Sequence, residues 1–417
     1  MPKRPSRIAF QVTIAVLLLA LIQAQPIAQQ ASSVDNKTRK NNNRLIVHEW
    51  GTFTSVAGKD GVAVDWRPLS GPSDLPGFVY DTSGLATRTG LRHEKPCNKC
   101  DLEALVRMET PVIYFYAGRE TTVSVRVDFS QGKITEWYPQ ARFLYDPGPD
   151  GGRIPSVVDW GLITLLPGTA ENFPVESKPS HYYPARETDA APLRVCGVKG
   201  EQREKFLFYR GVGTFAPPLE ARLSGEKVLV KNTSRDTIAA FILFENRGGT
   251  ISYQVRDSLD GEVTLDRTFT NQTIDGLERD LHKVLVAQGL YEKEARAMIK
   301  TWRDSWFEEG MRVFYLVPRK VTDSILSLTI APPPLEITRV LVGRAEIITP
   351  EMEAEIERSV GRLLDRSRSL QEVVAEISHR HGRFAEPVLK SVLEKTGDPN
   401  LRARVEELMT STRLQRR

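Results

Sequence analysis

An excess of charge of either sign is missing from this sequence. Its 57 Lys and Arg face 53 Asp and Glu, a formal +4, and three of those cations, Lys3, Arg4 and Arg7, sit in a leader segment, which leaves +1 on the rest. A chain so near neutrality presents no polyanion-binding surface, which excludes nucleic acid as a partner. Long apolar runs are also missing. After Ile8 to Ile22 no second run of that length follows, which excludes a multi-span membrane protein. Strong catalytic signatures are absent as well: there is no G-x-S-x-G, no H-E-x-x-H and no phosphate loop. Near matches fail on context. Lys395-Thr396-Gly397 closes a helical pattern instead of lying on a strand. Gly211-Val-Gly213-Thr-Phe-Ala216 runs into Pro217-Pro218, which forbids the helix a pyrophosphate needs.

What is present is an ordinary globular composition, 40% hydrophobic and 26% charged over 417 residues, with room for two or three domains. The first residues read as an export signal over 1–24: a positive n-region, an apolar run broken only by Gln11 and Thr13, then Gln23-Ala24-Gln25-Pro26. The run is shorter than the roughly 20 residues a spanning helix needs. Left uncleaved, residues 8–22 would tether the protein to a membrane. The expectation is an exported protein, periplasmic or secreted, in a compartment that permits disulfides. Residues 25–43, rich in Gln, Ser, Asn and Lys, read as a disordered linker.

The fold class expected from periodicity is mainly β with α-helical additions. It comprises two β-sandwich-like segments, a helical insertion in the second, and a small α-helical C-terminal region. A β-rich domain with long loops is assigned to 44–218. Its clearest strand is Thr121 to Phe129, where Val123, Val125, Val127 and Phe129 alternate with polar residues; Met108 to Tyr116 and Lys205 to Tyr209 are apolar enough to be central. A second sandwich-like domain is assigned to 219–348, with closely spaced strands and turn residues between them. Its helical insertion, 273–309, shows an apolar stripe at Ile274, Leu277, Leu281 and Leu285 that Gly289 closes. From 349 to 417 the period switches to 3.6, with capping residues before prolines at Thr349-Pro350 and Asp398-Pro399.

Three cysteines and six histidines are few enough that their positions are informative. His93-Glu-Lys-Pro-Cys97-Asn-Lys-Cys100 is the sharpest local feature, and the following Asp101-Leu-Glu-Ala-Leu-Val-Arg-Met108 is a good helix former. Three uses compete: a disulfide from Cys196 to Cys97 or Cys100, a Zn²⁺ site from His93, Cys97, Cys100 and Cys196, or thiol–disulfide exchange at Cys97 and Cys100. His181-Tyr182-Tyr183-Pro184, followed by Arg186, is the most site-like stretch, combining an imidazole, two aromatics and a cation in a loop. His48 and Glu49 are neighbours on the first strand and so face opposite sides of a sheet. Trp137 and Tyr138, with Tyr182 and Arg186, are the candidate binding residues, set against the commoner fate of large aromatics, burial in a core.

These observations point to an exported, envelope-associated binding or structural module that acts through loops of its β-rich part on an envelope polymer or a protein partner. Two alternatives stand beside it. One is a hydrolase, with or without a metal, centred on His181 with His48, His93 and a carboxylate such as Glu49. The other is a thiol–disulfide or zinc-binding protein that uses Cys97 and Cys100.

Overall fold

The computed structural model describes residues 44–70, 74–82, 99–142, 155–197, 200–268 and 270–415. The strands in its first half are β1 (Leu45–Ala57), β2 (Tyr80–Asp81), β3 (Val106–Ala117), β4 (Thr121–Phe129), β5 (Gly132–Tyr138), β6 (Val157–Leu165), β7 (Leu193–Gly197), β8 (Gly200–Glu204) and β9 (Leu207–Gly213). Then come β10 (Leu219–Ser224), β11 (Lys227–Asn232), β12 (Phe241–Arg247), β13 (Thr250–Arg256), β14 (Glu262–Asp266), β15 (Gly310–Leu316), β16 (Leu326–Ala331) and β17 (Glu336–Ile347). Helices α1 (Ile274–Ala287) and α2 (Glu292–Trp306) precede β15, and α3 (Arg319–Ile325) precedes β16. The chain finishes in α4 (Pro350–Leu364), α5 (Leu370–His381), α6 (Ala385–Lys395) and α7 (Pro399–Gln415). The fold is mainly β with helical additions and a C-terminal helical region, as periodicity indicates.

One nine-stranded sheet dominates, in the order β13-β12-β15-β17-β1-β3-β9-β5-β2. Strands from both sides of residue 218 alternate in it, so the 44–218 and 219–348 segments share a sheet. The join is β1 against β17, a parallel ladder running from Ile46–Glu336 to Ala57–Ile347. One face of this sheet packs on a five-stranded sheet (β16-β4-β6-β7-β8) and a three-stranded one (β10-β11-β14). Val47, Phe53, Ile113, Val123, Val125, Leu207 and Leu341 are buried between these layers. The opposite face is covered by α1, α2 and the segment around Tyr182 to Ala190, over Trp50, Tyr114, Phe208, Phe314 and Val342.

The helices form where local sequence favours them. Thr273 caps α1 by accepting from the Gly276 amide, the stripe Leu277, Leu281 and Leu285 is buried, and Gly289 ends the turn at a φ of 100° that only glycine adopts at little cost. Thr349 caps α4 in the same way, and Ser369 with Glu372 makes a capping box for α5. One expectation is overturned. Residues 102–108 are not helical: a short 3₁₀ turn, Lys99–Asp101, leads into β3 from Val106. Helix propensity there yields to burial of Val106 and Met108 in the sandwich core.

Close packing at the sheet centre gives a prediction. Gly343 of β17 lies opposite Tyr315 of β15, and a Cβ at Gly343 would fall 2.0 Å from the Tyr315 ring. Gly343→Ala is expected to cost about 2–3 kcal/mol in urea unfolding. Gly361→Ala, in α4 with open space around it, is expected to be neutral or to stabilise by up to about 1 kcal/mol.

Candidate functional site

A row of charges crosses the helix-covered face of the large sheet. From β15 through β17, β1, β3 and β9 to β5 it comprises Arg312, Arg344 with Glu346, Thr54, Arg107 with Glu109, Arg210 and Glu136, all buried. Register irregularities put much of it there. The ladders slip between Trp50 and Thr52, between Met108 and Val112, and between Ile134 and Glu136. Each extra residue reverses which side chains face which layer. Met108 and Ile134 thus face the sandwich core, whereas Arg107, Glu109, Glu136 and Arg210 face the layer of helices and loops. Thr110 occupies the β3 irregularity with a φ of 46°.

Every carboxylate of the row meets a cation. Glu346 takes Arg312 at 3.0 Å and Arg344 at 2.8 Å; Arg344 also reaches Glu308 at 2.8 Å and the Ser305 carbonyl at 2.7 Å. Glu109 accepts from Thr54 at 2.7 Å and from Arg383 at 2.9 and 3.0 Å. Arg210 donates one arm to Asp74 at 2.7 Å and the other to Glu136 at 3.1 Å, and Lys99 adds 2.7 Å to Glu136. Burial alone would raise the pKa of Glu136, but Arg210 and Lys99 outweigh it and hold the group at about 2. Glu109 is likewise held at about 2, where burial is outweighed by Arg383 and Arg107.

Beside Asp74 the surface opens into a groove of about 620 Å³. Pro179, Pro184, Ile274 and Phe307 supply its apolar walls, and Asp74, Ser180, His181, Lys300, Arg303 and Asp304 its polar ones. His181 is the centre. Its Nε2 lies 2.9 Å from both oxygens of Asp304, its Nδ1 is 3.5 Å from Asp74, and its ring rests 5.4 Å from that of Trp302. Asp74 foremost, with Asp304, pushes the His181 pKa up to about 9 against the effect of burial. Burial works to raise Asp74, and is outweighed by Arg210, His181 and Arg107, which hold its carboxyl far below the usual carboxylate range. At neutral pH the ring is therefore an imidazolium that donates on both sides. It has no lone pair with which to accept a proton or bind a metal.

The other residues singled out from sequence are dispersed. His48 is buried against Glu294 at 2.7 Å and stacks near Tyr116 and Tyr291. Glu294 and Asp304 lie near opposite ends of α2, ten residues or about 15 Å apart, so His48 and His181 do not share a site. Glu49 points into the other layer, where it accepts from Tyr209 and Arg339. Trp137 and Tyr138 are buried in core clusters on opposite faces of the sheet. Tyr182 is buried and donates to Glu204 at 3.0 Å. Arg186 forks onto the same carboxylate at 2.9 and 2.6 Å, among the rings of Phe78, Phe173, Tyr182 and Tyr183. That pair ties the 171–187 loop to β8. Asp74, Arg210 and Asp304 were missed from sequence, since they come from three separate stretches of chain and share no motif.

The reading of a disulfide between Cys196 and Cys100 needs correction. Cys196 is exposed on β7, opposite Glu201 in the five-stranded sheet, whereas Cys100 lies in the turn beside Lys99 near the end of the large sheet. No disulfide joins them, because the two positions belong to different layers. His93 and Cys97 lie outside the described residues. Among the described residues no three of His, Cys, Asp and Glu come together in a way that could hold a metal ion.

Comparison with known proteins adds little. No family model matches the chain, and no curated protein does. Among solved structures it is similar to the zebrafish (Danio rerio) Fcho1 Mu homology domain with bound Eps15 peptide. That match has a TM-score of 0.27 and 7% identity, over 73% of this chain and 97% of that one. The yeast delta-COP-I mu-homology domain complexed with Dsl1 WxWxV peptide gives 0.29 and 7%, over 74% and 99%. Likeness this slight carries no argument about activity. The 1–24 segment on which the expectation of export rests lies outside the described residues. The expectation of an exported, periplasmic or tethered protein is withdrawn. No helix among the described residues is long and apolar enough to cross a membrane.

The imidazolium clamp has a pH signature. A histidine raised from 6.5 to about 9 adds stability that is complete below pH 6.5 and disappears as pH rises through 9. Unfolding free energy is expected to fall by on the order of 1–2 kcal/mol between pH 7 and 10, after allowance for solvent screening. His181→Ala should flatten that part of the curve in denaturant titrations.

Proposed function

We propose that the chain is a binding module that takes an extended segment of a protein partner in the groove at His181. The observation that carries this reading is the groove itself. Its volume is within the range of ligand sites, it combines apolar walls with a few fixed polar groups, and its histidine is already protonated and held on both nitrogens. Such a group orients a ligand through charge. It does not serve as a general base, which must accept a proton at the working pH. A hydrolase centred on His181, His48 and Glu49 is disfavoured by the same geometry, since the three groups occupy separate places in the fold.

The test is panning of the full chain against a random-peptide phage library, followed by titration of the enriched peptides. Ile274→Trp, which fills the groove from the start of α1, is expected to weaken those peptides at least tenfold while the melting temperature holds. Equal binding to Ile274→Trp would contradict the reading. So would ester hydrolysis by the wild type that vanishes in His181→Ala.

A further inference from the structure

A second cavity, of about 390 Å³, lies where the C-terminal helices meet the large sheet. Its walls come from the ends of β12 and β17, the 308–310 turn, the start of α4 and the end of α5. Six glutamates line it: Glu245, Glu308, Glu309, Glu346, Glu351 and Glu355. Four are committed. Arg267 holds Glu245 at 2.6 Å and Glu351 at 3.1 Å, Arg344 holds Glu308 at 2.8 Å, and Arg312 with Arg344 holds Glu346. Glu355 pairs with Arg380, which is half exposed. Glu309 makes no ion pair among the described residues.

An acidic wall alone is not a site, but here a buried group faces it. His381 is 95% buried (5% exposed), and its Nε2 has no hydrogen-bond partner; the nearest carboxylate oxygen, of Glu355, is 3.7 Å away. Burial lowers the pKa of this imidazole, with Glu355 and Glu309 opposing and Arg380 assisting. The ring nitrogen thus lies 3.7 Å from Glu355, and Glu309, without an ion pair among the described residues, lines the same cavity. Phe384 and Met352 add apolar surface to the same wall.

We propose that this cavity binds an alkylammonium group, with the cation between Glu309, Glu355 and His381 and its methylenes along Phe384 and Met352. An ammonium donates three hydrogen bonds, which suits one ring nitrogen and two carboxylates. The cavity exceeds what a bare ion fills. Two sources carry this chemistry, a free polyamine and a lysine side chain of another protein. The site lies apart from the His181 groove and does not rest on its assignment.

Calorimetric titration of the full chain tests the proposal, with spermidine and Nα-acetyl-lysinamide as probes and NaCl at matched ionic strength as control. One-to-one binding of either amine is expected, about tenfold weaker in Glu309→Gln, an exposed position whose change should leave the melting temperature unmoved. Tighter binding of spermidine would identify a free polyamine, and tighter binding of acetyl-lysinamide a lysine side chain. Absence of heat with both amines overturns the proposal, as does unchanged affinity in both Glu309→Gln and Glu355→Gln. Preferential one-to-one uptake of Zn²⁺ that is lost in these variants would also overturn it, in favour of a metal.

Discussion

Glu49, Arg107, Glu109, Glu136, Arg210, Arg312, Arg339, Arg344 and Glu346 all project from strands of the nine-stranded sheet and are all buried. A charge left alone in such surroundings costs several kcal/mol, so the sheet reaches its native packing only when each group finds a counter-charge. Some partners lie on adjacent strands, as for Arg339 with Glu49 and Arg312 with Glu346. Others must be brought in: Asp74 from the loop before β2, Lys99 from the turn before β3, Ser305 and Glu308 from the end of α2, and Arg383 from the turn before α6. Electrostatic pairing thus decides where the loops and helices dock on an otherwise apolar face. The gain from each pair is small. The penalty for a missing partner is large, and that asymmetry makes the arrangement specific.

The C-terminal helices show the same logic at longer range. Arg383 bridges to Glu109 of β3, Arg67 to Glu386 of α6, and Arg267 to Glu351 of α4. Phe384 lies stacked on Trp66, beneath the guanidinium groups of Arg344 and Arg383. The helical region has its own core, with Ile356, Val373, Leu389 and Leu408 buried. What joins it to the sheet is a layer of ion pairs around one aromatic stack. The cavity with His381 lies along this seam, and the His181 groove lies beside Asp74, which Arg210 holds.

Much of the fold was legible because it follows period and capping. The alternation in β4, the central character of β3 and β9, the stripe of α1 and the Thr349 cap each depend on neighbours within a few residues. The shared sheet was not legible. Pairing β1 with β17 joins residues about 290 positions apart, and no local pattern records it. Irregular register hid the charged row: simple alternation places Met108 and Glu109 on opposite faces but cannot show that a slip before Val112 turns Glu109 toward the helices. His181 stood out in sequence as a loop histidine among aromatics. Its partners did not, because Asp74 is 107 residues from it and Asp304 is 123. The large aromatics Trp137, Tyr138 and Tyr182 follow the commoner rule for their type and are buried.

The central claim is that paired charges hold His181 as a cation at the mouth of the groove. Its most direct test is an NMR titration of the imidazole carbon and proton shifts of His181, assigned by comparison with His181→Ala. The account predicts a midpoint near 9 in the intact chain, and a clear fall toward 6.5 when Asp74→Asn removes one carboxylate. A midpoint at or below 6.5 in the intact chain, unmoved by Asp74→Asn, would contradict it.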